Sequence, residues 1–179
     1  EKGRSDTDPL IPEEVTSMRG RLGSILYISG NTRPFEAYGV SHLAGYTSTA
    51  CVSHLRQINT MIAHMKATKD FRLRYVQLQG PLIVYTFTDS NFKRERDGGS
   101  QTGVITFIGT VIRDSGYIRW NLARYSSRRT RRIVHATLAA ETLAASFSLD
   151  TNEGTRGRLA EMCIEADGVI VSDCKSLFD

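Results

Sequence analysis

The stretch from Leu82 to Asp89 constrains this chain most, because seven apolar or β-branched residues run without interruption and then end in a carboxylate. The run is too short for a typical helix and has the composition of a buried strand, so we expect a core strand over 82–89. An acid at a strand exit is most often a turn former or a helix cap. Asp89 taken by itself therefore has a structural explanation, and any functional one depends on acids elsewhere.

Hydrophobic spacing divides the chain into a helical part and a part rich in strands. The spacing predicts helices over 12–29, 33–46 and 51–67, the first two with proline in the first turn. Residues 1–11 are polar, which is typical of a linker or a fragment edge. The 179 residues allow one large or two small domains. We expect a linker (1–11), a helical subdomain (12–70) and a second domain (71–179).

The second domain alternates in the manner of strands before and after one alanine-rich helix. The predicted strands are 71–78, 82–89, 101–110, 117–122 and 168–173. The turn between the third and fourth of these is predicted at 114–116, and the arginine-rich segment 123–132 is predicted to be a loop. A helix is expected over 135–149, with continuation to about 166 or a break at its glycines both left open. A last helix begins at 174. The predicted fold class is α+β, with a mixed sheet flanked by helices in the order βββαβα from residue 82 onward.

Three acids occupy related places in this pattern, namely Asp89, Glu141 and Asp173. The two aspartates end strands and the glutamate lies on the helix. If the two strands are parallel neighbours, all three side chains can meet at one edge of the sheet. Carboxylates crowded together raise one another's pKa values, and hard divalent cations remove that cost. Two Mg²⁺ ions about 3.5–4 Å apart assist phosphodiester cleavage in this way. These residues are therefore candidate metal ligands and catalytic residues, although acids at strand ends are also common without a metal.

A cluster of basic residues lies between the predicted strand 117–122 and the alanine-rich helix. It consists of Arg124, Arg128, Arg129, Arg131 and Arg132. Such a run is most often a solvated loop, but beside a nuclease centre its guanidinium groups would hold duplex phosphates without reading sequence. Lys93, Arg94 and Arg96 would extend this track. Trp120 lies in an alternating strand and is expected in the core rather than as a base-stacking surface. The net charge of +4 is compatible with a polyanionic partner and does not require one.

Cysteine use and hydropathy exclude several classes of protein. Cys51, Cys163 and Cys174 are scattered and form no CxxC pair, so neither a disulfide framework nor a zinc site is predicted. A reducing, intracellular compartment is expected, either cytoplasm or nucleus. No apolar run is long enough to cross a bilayer, and we expect no membrane partner. Because the chain ends just as a helix begins, we expect it to be a fragment of a longer polypeptide.

Several stretches match the motifs of one known family in the same order. In the second domain they are Phe87-Thr88-Asp89-Ser90-Asn91-Phe92, Ile118-Arg119-Trp120, Ala139-Ala140-Glu141-Thr142 and Ser172-Asp173-Cys174-Lys175-Ser176. Their counterparts are Tyr-Ser-Asp-Ala-Asp-Trp, Ile-Ser-Trp followed by basic residues, Glu-Ala-Glu-Tyr and Cys-Asp-Asn-Lys-Ser. In the first part they are Leu22-Gly23-Ser24-Ile25-Leu26-Tyr27 and Thr32-Arg33-Pro34. Together they resemble the C-terminal part of copia-type LTR retrotransposon polyproteins, over about residues 12–178.

The resemblance implies a thumb- and connection-like subdomain over 12–70 and a ribonuclease H-like domain over 71–179, truncated at its C-terminus. It implies an endoribonuclease that hydrolyses the RNA strand of RNA/DNA hybrids, with two Mg²⁺ ions, or Mn²⁺ as a substitute, held by the three acids. Contacts to the 2′-hydroxyl would mark the strand to be cut. The implied partners are an RNA/DNA hybrid or other nucleic acid and the polymerase portion of the same polyprotein.

Departures from the family pattern support a second hypothesis. Ala139 and Asn91 replace two acids of the family motifs, and the family's fourth metal-binding acid lies on a later helix, beyond Asp179. The chain contains no Tyr-x-Asp-Asp polymerase motif. The alternative is a catalytically inactive, retroelement-derived module that serves as a structural or nucleic-acid-binding component of a larger ribonucleoprotein assembly.

Overall fold

The computed structural model describes residues 3–92, 99–111, 116–130 and 134–177. The chain divides into two compact units, Glu1–Arg72 and Leu73–Asp179. This division lies two residues beyond the boundary expected from the sequence. In the described part of the chain, no helix is both long and apolar enough to cross a membrane.

The first unit is helical, as its hydrophobic spacing predicts. Its elements are α1 (Pro12–Thr32), a 3-10 turn (Pro34–Glu36), α2 (Ala37–Ala44) and α3 (Val52–Ala67). Helix α1 is longer than expected by three residues, and the predicted second helix begins as a 3-10 turn. The unit's core consists of Met18, Leu22, Ile25, Val40, Leu43, Ala50, Leu55 and Ile58. The members on α1 recur at intervals of three or four residues, so one helical face is buried.

The second unit is a four-stranded mixed sheet with one long helix. Its elements are β1 (Leu82–Asn91), β2 (Gln101–Val111), β3 (Ile118–Arg129), α4 (Thr137–Glu161), β4 (Ala166–Ser172) and a 3-10 turn (Lys175–Leu177). The strand order is β3-β2-β1-β4. Strand β2 pairs antiparallel with both β1 and β3, whereas β4 pairs parallel with β1. The α+β class and the parallel pairing of β1 with β4 are therefore present.

Helix α4 packs against β1 and β4 through small and polar side chains. Ala140, Ala144 and Ser148 are fully buried there, which lets the helix lie close to the sheet. Buried Asn152 donates from its side-chain amide to the carbonyl oxygen of Val84 at 2.8 Å and to that of Val169 at 3.3 Å. Because these carbonyls belong to the two parallel strands, Asn152 fixes the helix over the β1–β4 pair.

Two predictions about strands are wrong. Residues 71–79 form no regular secondary structure. The backbone of Val76 instead bonds the side-chain amide of Asn121 through both its N–H and its carbonyl group, each at 2.8 Å. The predicted loop 123–132 is strand as far as Arg129, because β3 continues to pair with β2 after an irregularity at Ala123. Arg131 and Arg132 lie outside the described residues, as does most of the turn predicted at 114–116.

The alanine-rich helix runs without a break from Thr137 to Glu161, so the continuation that the sequence left open is present. Gly154 and Gly157 stay within it because the helix around them is held by buried Asn152, Thr155 and Leu159. The helix ends with Cys163 in a left-handed conformation, at φ 59°. The N–H of Ile164 bonds the carbonyl of Leu159, as in a Schellman cap.

Trp120 lies on the face of the sheet opposite α4 and not in a closed core. Its ring is tilted against that of Phe107, with centroids 5.0 Å apart, and meets Tyr85 and Phe87 edge-on at 6.0 Å. Trp120 is nevertheless 43% exposed. The expectation of a core tryptophan is therefore corrected, since the ring packs laterally on an open sheet face.

Candidate metal centre

Asp89, Glu141 and Asp173 lie together at one edge of the sheet. Thr88 pairs with Ser172 across the parallel strands. Asp89 and Asp173, the next residue in each case, therefore lie at the same level of the sheet. Glu141 reaches the same edge from the second turn of α4. One carboxylate oxygen from each acid lies within 4.8 Å of the others. The convergence predicted from the order of strands and helix is present.

The three acids differ in their exposure to solvent. Asp89 and Asp173 are exposed, whereas Glu141 is only 5% exposed. Because side chains alternate along a strand, Val84, Thr86 and Ser90 share one face of β1. This face contacts α4, since buried Thr86 accepts a hydrogen bond from Asn152 on that helix. Ser90 lies on that same face, and its hydroxyl donates to Oε1 of Glu141 at 2.9 Å.

Burial raises the pKa of Glu141 above its ordinary value. Hydrogen bonding from Ser90 offsets only part of this rise in pKa, and the nearby carboxylates of Asp89 and Asp173 raise the pKa further. Oε2 of Glu141 is buried and has no hydrogen-bond partner among the described residues. Ser90 therefore donates to this carboxylate, while its buried Oε2 has no donor in the described part of the chain and lies in a group that holds two further carboxylates.

This donor set fits a divalent cation. Oxygens that bind one ion at bond lengths of about 2.0–2.6 Å lie about 3–5 Å from one another. The carboxylate oxygens of the three acids, one from each, lie within 4.8 Å of one another and so meet this requirement. An ion would offset the repulsion among the acids and give Oε2 of Glu141 a partner. Carboxylate oxygens favour hard cations such as Mg²⁺, Mn²⁺ and Ca²⁺, and the geometry does not select one of them.

Three of the five arginines predicted to bind nucleic acid lie on a strand rather than in a loop. Arg124, Arg128 and Arg129 lie on β3, at the edge of the sheet. Arg128 pairs with Thr102, which in turn pairs with Ser90, so Arg128 is level with the acid site and about 10 Å across two strands from it.

Alternation places Arg124 and Arg128 on the face covered by α4, and Arg129 on the opposite face. The guanidinium of Arg128 lies over the ring of Phe147 on α4, 3.2 Å from its centroid, so this side chain also packs against the helix. Arg131 and Arg132 lie outside the described residues, as do Lys93, Arg94 and Arg96.

Two residues of the site were not identified from the sequence as contributing to it. Ser90 holds Glu141, and Asn152 holds the helix that carries Glu141. For Ser90 the signal is partial: a residue next to Asp89 faces the opposite side of a strand, but the strand was predicted to end at Asp89, whereas β1 continues to Asn91. Asn152 had no such signal, since its role depends on a helix that runs unbroken to residue 161.

Comparison with family models, curated proteins and solved structures finds no significant match to this chain. The chemistry of the site is therefore inferred from its own residues.

Proposed function

We propose that this chain is a divalent-metal-dependent ribonuclease H-type endonuclease, which hydrolyses the RNA strand of RNA/DNA hybrids as part of a retrotransposon reverse transcriptase. One observation carries the proposal. Asp89, Glu141 and Asp173, from two parallel strands and the helix that connects to the second of them, place carboxylate oxygens within 4.8 Å of one another. Oε2 of Glu141 is buried and has no hydrogen-bond partner among the residues that the structure describes, which distinguishes this cluster from a chance group of surface acids.

The topology supports the proposal. Three antiparallel strands precede a helix and a strand parallel to the first. Asp89 lies two residues before the end of β1, Glu141 lies on α4 and Asp173 directly follows β4. This is the order on which the motif resemblance to the ribonuclease H superfamily depends. Within this proposal, the second unit is a ribonuclease H-like domain and the first, helical unit is a thumb- and connection-like subdomain. This assignment is finer than the α+β architecture described above.

The roles of the chain's own residues follow from their positions. Asp89, Glu141 and Asp173 would hold the divalent ions, with Glu141 supplying its buried oxygen. Such ions, when bound, activate a water molecule and offset negative charge at the scissile phosphate. Ser90 and Asn152 keep Glu141 and its helix in place. Water is the nucleophile, so no side chain of this set needs to form a covalent intermediate.

Arginines on the edge strand supply the substrate-binding part of the proposal. Arg124 and Arg128 lie on the face of β3 nearest the helix that carries Glu141, and both are exposed. Guanidinium groups bind phosphate through paired donors and read no sequence, which suits a nuclease acting on a duplex backbone. The 2′-hydroxyl of the RNA strand would provide the distinction from DNA.

The test is cleavage of an end-labelled RNA/DNA hybrid by the purified chain in the presence of Mg²⁺ or Mn²⁺. We expect Asp89→Asn and Asp173→Asn to lose cleavage and keep a folded circular-dichroism spectrum. Asp167→Asn is the matched control, because Asp167 lies near the opposite end of β4 and should be dispensable. Equal cleavage by the intact chain and Asp89→Asn would remove the assignment.

Binding experiments separate the enzyme from the alternative hypothesis. Hybrid binding by the intact chain without any metal-dependent cutting would identify a retroelement-derived module that binds nucleic acid within a larger assembly. Cutting that requires the three acids would exclude that alternative.

A further inference from the structure

Ser90 lies beside the acid cluster and contacts one of its members. Its hydroxyl is 2.9 Å from Oε1 of Glu141 and donates to it. Because successive residues of a strand face opposite sides, Asp89 and Ser90 serve the site differently. Asp89 contributes its own carboxylate, whereas Ser90 contacts the carboxylate of Glu141 from the helix side of the sheet.

The two oxygens of the Glu141 carboxylate have unequal surroundings. Oε1 accepts the bond from Ser90, while Oε2 is buried and has no hydrogen-bond partner in the described part of the chain. A glutamate side chain rotates about three bonds and loses considerable entropy when it is held in one conformation. A hydroxyl that anchors one oxygen reduces the remaining freedom and determines which oxygen stays available.

We propose that Ser90 is a positioning residue for the metal centre, whose hydroxyl holds one oxygen of Glu141 so that the other faces the ion shared with Asp89 and Asp173. This inference rests on the metal centre of the proposed function. Groups that orient metal ligands commonly contribute 10- to 100-fold to ion affinity or activity, so Ser90→Ala should weaken ion binding by about that factor.

The experiment is a calorimetric titration of the full chain and its variants with Mn²⁺ alone. Ser90→Ala removes the hydroxyl, and Ser90→Thr keeps it in a residue that strands favour. Ser127→Ala is the matched control, because it removes a strand hydroxyl that accepts a bond from Gln101 at 2.9 Å and that contacts none of the three acids. Thermal unfolding of each variant verifies that it is folded.

We expect Ser90→Ala to bind Mn²⁺ about 10- to 100-fold more weakly, and Ser90→Thr and Ser127→Ala to keep the affinity of the unmodified chain. Adding Ser90→Ala to Glu141→Ala should have no further effect on Mn²⁺ affinity, because the hydroxyl acts through the side chain of Glu141. In hybrid cleavage at a fixed ion concentration, kcat should fall while KM for the hybrid stays the same. If the role of Ser90 were purely structural, we would not expect Ser90→Thr to restore the Mn²⁺ affinity while Ser90→Ala lowers kcat and leaves KM unchanged.

Two results would overturn the inference. One is an unchanged Mn²⁺ affinity in Ser90→Ala. The other is a Ser90→Thr variant as weak as Ser90→Ala, since the volume at this position rather than the hydroxyl would then decide affinity. Failure of the unmodified chain to bind Mn²⁺ is a different outcome, because it would remove the metal centre and the proposed function with it.

Discussion

Replacing Glu141 by Gln removes a buried negative charge and keeps the shape of the side chain. In the metal-free protein, Glu141 is 5% exposed, its Oε2 has no hydrogen-bond partner among the described residues, and burial raises its pKa. The glutamine can still accept from Ser90 through its oxygen, and its amide N–H groups can donate towards Asp89 and Asp173. We therefore expect Glu141→Gln to stabilise the metal-free second unit at neutral pH.

The magnitude follows from the unpartnered oxygen. A buried polar group without a partner costs about 1–3 kcal/mol, so the variant should gain about that free energy of unfolding at pH 7.5. The sign of the pH dependence is fixed by the raised pKa. Below the unfolded value near 4.5 the carboxyl is protonated in both states and the variant has no advantage. The advantage grows as pH rises from that value to the folded pKa of Glu141 and is constant above it, because in this interval the unfolded chain is ionised while the native carboxyl stays protonated.

The assay is urea denaturation in EDTA at several pH values. The chain has a single tryptophan, Trp120, which lies in the second unit, so its fluorescence reports the unfolding of that unit alone. Excess Mg²⁺ should reverse the order of stability, since an ion at 100 times its Kd stabilises the unmodified chain by about 2.7 kcal/mol and the variant by much less. A difference between the two proteins that does not change with pH would refute the reasoning, as would a variant less stable than the unmodified chain in EDTA.

Three further predictions concern the scaffold and the substrate. Asn152→Ala should lower the free energy of unfolding of the second unit by about 2–3 kcal/mol in the same urea assay, because it removes buried hydrogen bonds to both parallel strands. Cys163→Gly should raise that free energy by about 1 kcal/mol, since glycine adopts the left-handed conformation without the strain of a Cβ. Arg124→Gln should reduce the slope of log K against log salt concentration for hybrid binding by about 1, as expected when one phosphate contact is lost.

Each of these predictions has a control of matched chemistry. Asn121→Ala removes the exposed bonds to Val76 and should cost less than Asn152→Ala; an equal cost would contradict the structural role of Asn152. Cys163→Ala removes the thiol but keeps the Cβ, so a gain as large as that of glycine would attribute the effect to the thiol. Arg156 lies beside the start of β4 and donates to the carbonyl of Ala166. Arg156→Gln should therefore leave the slope of log K against log salt concentration unchanged.

Much of the secondary structure was predictable, because burial on one face imposes a period on the sequence. Helices α1 and α3 and strands β1 and β2 match their predicted ranges to within three residues. Strand β3 was predicted too short, since Arg124, Arg128 and Arg129 have the composition of a solvated loop. Pairing with β2 satisfies the backbone of this segment and outweighs its composition. Residues 71–78 have a strand-like pattern but form no strand ladder with any described residue, so the pattern alone was insufficient.

Local hydrophobic periods are sufficient to predict most of the helices and strands and to place Asp89 and Asp173 at or near strand ends and Glu141 on the helix. They do not predict that β1 continues two residues past Asp89. The sequence also predicts that the candidate metal ligands are three carboxylates. Packing of the folded chain is needed to bury Glu141, to bring Ser90 to one of its oxygens and to leave the other without a partner in the described part of the chain. These properties depend on distances between residues 51 positions apart, and such distances are set by the packing of α4 on the sheet rather than by any local pattern.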